Sequence, residues 1–310
     1  MKYNGVPLTL TAASVDPSSQ SGAWPLKTTS MWLWDSNDPS PPCTPQGITS
    51  FVDDTTGQEV VVVSWHSDTD GGDARISYLV SADDGSNNYL YGHARLGDAG
   101  TTAKLHAGGV AFFDNQLLVA DTDHGVVAFA VTDPQPVGTD TWQVDLITRY
   151  DLDAGNPALE RFSFTDVDWT DPANPLLLTG VYVNTAQSTE HQPSILGWPL
   201  TAGKGPSLNS PTVFLDSTPT SPSFKSFWYM QGVAHYGDRW YLSQSGKIAG
   251  IRSLKGDLSS EPPRFDNVAK TDLGLEDLHI PPGGKYLWGL TENVDGKGTD
   301  DPRPFFRITL

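Results

Sequence analysis

Apolar and polar positions along the chain fall into short runs separated by turns, and the clearest case is Leu105 to Val131, LHAGGVAFFDNQLLVADTDHGVVAFAV. His106 to Phe113 reads as a strand opened by two glycines. Gln116 to Asp121 reads as a second strand after a tight Asp114-Asn115 turn, and Val126 to Val131 as a third after Thr122 to Gly125. No window of a dozen residues keeps apolar residues at i, i+3 and i+4, and Gly or Pro interrupts nearly every candidate helix. The pattern therefore predicts strands and turns, with almost no helix.

The same unit recurs five times. Its opening strand stands at Pro45 to Ile48, Ala107 to Val110, Phe164 to Val167, Met230 to Val233 and Leu275 to Leu278. Second strands follow at Val60 to Trp65, Leu117 to Asp121, Leu176 to Tyr182, Trp240 to Gln244 and Tyr286 to Thr291. Third strands follow at Ile76 to Ala82, Val126 to Thr132, Ser194 to Leu200, Ile248 to Leu254 and Pro304 to Leu310. Weaker fourth strands stand at Tyr89 to Leu96, Trp142 to Asp151, Pro211 to Asp216 and Phe265 to Asp272, and the fifth is missing. Thr28 to Trp34, TTSMWLW, precedes the first opening strand, where it supplies the missing one. A ring of sheets leaves unpaired edges unless it closes. The expected fold is thus all-β, one propeller domain over residues 1–310 with five blades at about 45–96, 106–151, 163–216, 230–272 and 275–310. Residues 28–34 are expected to close the last blade against Pro304 to Leu310, and Val6 to Ala12 to form an extra edge strand or clamp.

Composition narrows the partners. There are 37 acidic against 19 basic side chains, a formal charge of −18, which repels phosphate backbones and anionic membrane surfaces and excludes nucleic acid as the expected partner. Cys43 is the sole cysteine, so an intrachain disulfide is impossible, and no Cys/His pair stands at zinc-ligand spacing. No apolar run reaches the roughly 20 residues of a membrane span. The expectation is a soluble protein, either cytoplasmic or a mature secreted form lacking its leader.

In a propeller the inner strands run the same way, so strand starts and the turns after second strands emerge on one face around the axis. The starts bring Gln46, His106, Asp166, Tyr229, Gln231 and Glu276 to that face; the turns bring Trp65, His66, His124, Tyr182, His191, Gln244 and Glu292. Four of the seven histidines fall in this set. Polar turns account for part of it, but convergent imidazoles, carboxylates and aromatic rings are what small-molecule sites need. Histidine moves protons near neutrality and a confined carboxylate serves as an acid, so His106 and Glu276 are the expected base and acid, with His66 and Asp166 beside them. Gln46, Trp65, Tyr182, Tyr229, Gln231, Gln244 and Glu292 are the expected substrate contacts. His66, His106, His124, His191 and Glu276 are the candidate ligands of a divalent metal, calcium or a transition metal. Asp166, Glu276 and Glu292 would also serve a glycosidase with carboxylates across the axis. No Gly-x-Ser-x-Gly elbow is present. Two readings result: an enzyme, hydrolase, lyase or isomerase, acting on a small or sugar-like molecule in a central funnel; or a lectin-like binder without catalysis.

LLVADTDHGVVAF, after HAGGVAFF, resembles blades of the NHL and SMP-30-type propeller superfamily. The resemblance implies a divalent metal on the axis held by carboxylate and Asn ligands, with Glu276 similar to the glutamate that opens an inner strand. Members usually have six blades, which is the alternative to five.

Overall fold

The structure, a computed structural model, describes residues 8–13, 28–34, 43–67, 74–82, 87–98, 101–103, 105–122, 125–131, 135–136, 142–151, 162–184, 193–208, 211–216, 227–245, 250–256, 258, 265–269, 274–291 and 305–310. It is a β-propeller. Among the described residues the long strands form five antiparallel groups, each starting from an inner strand: Cys43–Val52, Ala107–Phe113, Phe164–Asp168, Met230–Tyr236 and Leu275–His279. Each inner strand packs on the next in cyclic order, and Leu275–His279 returns to Cys43–Val52, so the five enclose an axis.

Local chemistry accounts for the strands. In Glu59–Ser67, EVVVVSWHS, nearly every position is buried, because a second strand is sandwiched between two neighbouring blades. Val60 and Val62 pack towards the second blade; Val61 and Val63 pack towards the last. The outer strand Trp142–Asp151 alternates instead, with Ile147 exposed, as one solvated face requires. Between Phe113 and Gln116 the two turn residues Asp114 and Asn115 have φ of 50° and 58°, the pair of left-handed residues that a two-residue hairpin turn demands.

Ring closure is made by Thr28–Leu33, which pairs antiparallel with Phe305–Thr309 and completes the last blade. A second bolt lies outside it. Leu8–Ala13 pairs at one end with residues 31–33 of the closing strand and at the other with residues 89–91 of the first blade's outer strand. Its described part is shared between two blades, the clamp of the two roles expected for it, and Val6 lies outside the described residues. The outer strands Tyr89–Asp98 and Trp142–Asp151 also pair, in parallel, so main-chain hydrogen bonds run continuously from the last blade through the first to the second. The remaining strand bounds differ from expectation by a few residues; the second strand of the third blade stops at Gly180, leaving Tyr182 in the turn beyond it.

The glycines of the opening strands are needed because the inner strands approach so closely. A Cβ on Gly47 would lie 2.4 Å from the Val110 nitrogen, and one on Gly109 would lie 2.2 Å from the Thr165 nitrogen. Backbone cannot rotate out of the way as a side chain can. Gly109→Ala is therefore expected to lower the midpoint of chemical denaturation by the equivalent of about 3 kcal/mol, the upper range for overpacking; an unchanged midpoint would mean that the inner ring is looser than drawn.

Candidate functional site

The axis holds two groups of polar residues, one buried at mid-depth and one at the end where the inner strands begin. The buried group follows from register. Leu275–His279 lies beside Cys43–Val52, and both Asp277 and His279 reach residues of that strand. The Ile48 amide donates to Asp277 Oδ2 at 3.2 Å, and Ser50 Oγ stands 3.2 Å from His279 Nε2. His279 Nδ1 meets Asp166 Oδ1 at 2.7 Å. Asp166 belongs to the third blade and His279 to the fifth, which are not neighbours in the ring, so this pair bridges the axis itself.

Ser50, Asp166, Asp277 and His279 are all buried. Burial pushes the Asp166 carboxyl up from its ordinary range, against the downward pull of His279. Burial and then the Asp166 charge push Asp277 well above its ordinary range; the amides of Leu278, Ile48 and Val110 pull it down. Asp277 thereby collects backbone donors from three inner strands. The second carboxylate oxygen of Asp166 is buried with no hydrogen-bond partner among the described residues.

At the strand-start end, Glu276 opens the last inner strand and is only 3% exposed. The Gln231 amide donates to its Oε1 at 3.1 Å. Tyr182 stands close by: burial raises its phenol, Ser245 and Asn184 hydrogen-bond to it and lower it, and the charge of Glu276 raises it further. The rings of Tyr182 and Tyr229 lie 6.2 Å apart at 68°. Gln244 donates to the Trp228 carbonyl at 2.8 Å. Around the first and second blades, the rings of His66 and His106 lie against each other with centroids 3.7 Å apart and planes tilted by 36°, His106 exposed and His66 half-buried. Gln46, half-buried at the first strand start, donates to the Pro45 carbonyl at 3.2 Å.

The expected residues thus divide. The structure joins Glu276 with Gln231, places Tyr182 and Tyr229 beside them, and joins His66 with His106. Two placements need correction. Trp65 does not line the funnel: it is buried in the seam between the last and first blades, donates to Ser77 Oγ at 2.7 Å and carries the Arg75 guanidinium 4.7 Å from its ring centre. It continues the alternation of Val61 and Val63, a signal legible in the sequence. Asp166 lies at mid-depth against His279, not at the mouth. Among the described residues no three His, Cys, Asp or Glu side chains are grouped to hold a metal ion, so His66, His106 and Glu276 do not form one site together. His124, His191 and Glu292 lie outside the described residues.

The sequence pattern does not single out His279, the last residue of its strand. It also passes over a second imidazole–carboxylate pair, His235 Nδ1 to Asp168 Oδ2 at 2.8 Å, with the His235 ring flat on Trp240 at 3.9 Å. His235, like His279, stands near the end of its inner strand, away from the strand starts and the turns after second strands that carry the expected site residues.

No protein-family model and no curated protein matches the sequence. Solved structures do. The GH43_1 enzyme from Xanthomonas citri superimposes with a TM-score of 0.52 at 13% identity, over 87% of this chain and 89% of that one. Its complex with xylotriose gives 0.51 at the same identity and coverage. The α-L-arabinanase of Penicillium chrysogenum complexed with arabinobiose covers 98% of both chains at 12% identity, with a TM-score of 0.46. At such identities the likeness to the Xanthomonas citri enzyme establishes the propeller fold. It does not single out the NHL and SMP-30 type. Among the described residues no helix is long and apolar enough to cross a membrane.

Proposed function

We propose that the protein is a hydrolase of a small, sugar-like molecule bound where the inner strands begin, with Glu276 as its proton-transferring carboxylate. The observation that carries this reading is Glu276 itself, a carboxylate buried beside the axis, oriented by the Gln231 amide and set next to two tyrosines. Burial of that kind is what adapts a carboxyl to donate or accept a proton. His106, exposed on the same end and lying against the His66 ring, is the partner base. Gln46, Gln231, Gln244, Tyr182 and Tyr229 are the substrate contacts in this reading. The xylotriose complex of the similar Xanthomonas citri enzyme makes sugars the first class to try.

The test is turnover of an aryl-glycoside panel and of a sugar lactone by the purified protein. Glu276→Gln and His106→Ala are each expected to lower turnover by about 100-fold or more while leaving sugar binding within a few fold. One specific observation favours the other reading: three of the polar residues at this end are glutamines, which bind hydroxyls but move no protons. If the wild-type protein binds glycosides and turns over none of the panel, it is a lectin-like binder and Glu276 is a binding group.

A further inference from the structure

Among the described residues four non-glycine residues have φ in the left-handed region. Asn87, Asp114 and Asn115 are of types that tolerate it in turns; the fourth is Tyr229, at 62°. A bulky aromatic residue there costs free energy that glycine would not, and the surroundings hold it in place. Its amide donates to the Val183 carbonyl at 2.9 Å, and its own carbonyl accepts from the Ser245 amide at 2.9 Å. Val183 follows the second strand of the third blade and Ser245 follows that of the fourth, so two blades fix the conformation from either side. Strain that is over-determined in this way gathers at binding sites.

What the strain achieves is the position of one ring. Tyr229 is half-buried, its ring meets that of Tyr182 at 68°, and Tyr182 in turn lies in the field of Glu276. Two phenol rings form an angled apolar wall; the Gln231 amide and the Glu276 carboxylate stand beside it as hydrogen-bonding groups. An apolar ring face with hydroxyls at its rim fits that combination. We propose that Tyr229 is the strained stacking platform for a single monosaccharide ring at the mouth of the axis, and that its conformation is kept at the expense of stability for that contact. This rests on the reading of the mouth as a sugar site.

The experiment measures binding and melting, not turnover. Methyl glycosides of glucose, galactose, xylose and arabinose are titrated by calorimetry into the wild type and into Tyr229→Phe, Tyr229→Ala and Tyr229→Gly. At least one glycoside is expected to bind the wild type, with affinity kept in Tyr229→Phe and weakened about tenfold in both Tyr229→Ala and Tyr229→Gly. Tyr229→Gly is expected to melt about 2 °C above Tyr229→Ala, since both lack the ring and only alanine retains the strain. Affinity that ignores the loss of the ring overturns the platform. So does a wild-type protein that binds no glycoside in the panel, or a glycine variant that melts no higher than the alanine one. Binding without any turnover would instead sink the hydrolase assignment and leave the platform standing.

Discussion

Replacing Trp32 by alanine is expected to lower stability by about 3–5 kcal/mol and to broaden the unfolding transition. Trp32 comes from the closing strand and is fully buried. Its ring stacks on Phe305 at 4.8 Å and 26°, tilts against Trp288 at 5.7 Å and meets the edge of Tyr89 at 5.1 Å. Its indole N–H donates to the Asn87 carbonyl at 2.8 Å. Phe305 and Trp288 belong to the last blade; Tyr89 and Asn87 belong to the first, so this one side chain joins the two ends of the ring. A cavity here removes apolar contact from both blades at once and also removes the hydrogen bond to the Asn87 carbonyl. Trp32→Phe fills most of the space and is expected to recover more than half of the loss. Urea denaturation followed by circular dichroism decides it. If Trp32→Ala unfolds at the wild-type midpoint, the ring is held shut by the main-chain pairing of the closing strand alone.

The second large effect is expected at the axis. His279→Ala removes the partner of Asp166 and leaves a carboxylate buried across from Asp277, at a cost of about 3–5 kcal/mol, as for other broken buried pairs. The double variant Asp166→Leu with His279→Leu is expected to cost less than either break alone, because no unpaired charge remains. A pH dependence accompanies the single variant. Asp166 is already raised in the folded protein by burial, with His279 holding it down. Without His279 its carboxyl moves further up, so the folded state binds a proton more tightly than the unfolded chain does. Stability then falls as pH rises from the unfolded carboxylate value, about 4, through the folded one, and the fall is steeper than in the wild type. Denaturation midpoints measured from pH 4 to pH 8 test this; parallel curves for wild type and His279→Ala would show that the pair does not set the protonation of Asp166.

Much of this architecture was written into local patterns. Strand content, the Asp114-Asn115 turn and the pairing of Thr28–Leu33 with Phe305–Thr309 follow from period-two burial, turn chemistry and the tendency of open sheet edges to pair. These depend on residues near one another in the chain, or on the general rule that open sheet edges pair. Equivalent places in a repeat emerge at the same end of a propeller, which is why His66, His106, Gln231 and Glu276 were expected in one pocket; the structure joins Glu276 to Gln231 and His66 to His106.

Which face each residue takes near the axis was decided only by the tertiary structure. Four of the five inner strands carry a register irregularity at their opening, between Pro45 and Gly47, Ala107 and Val110, Met230 and Gly232, and Leu275 and Leu278. A one-residue slip sends every following side chain to the opposite face, so counting by twos through those openings gives no reliable direction. Asp277 lies within such an opening and His279 just beyond it, and the side they take brings Asp277 to the Ile48 amide and His279 to Asp166, 113 residues away in the chain. No local pattern encodes that meeting, because it depends on five strands closing around one axis at distances set by the glycines between them.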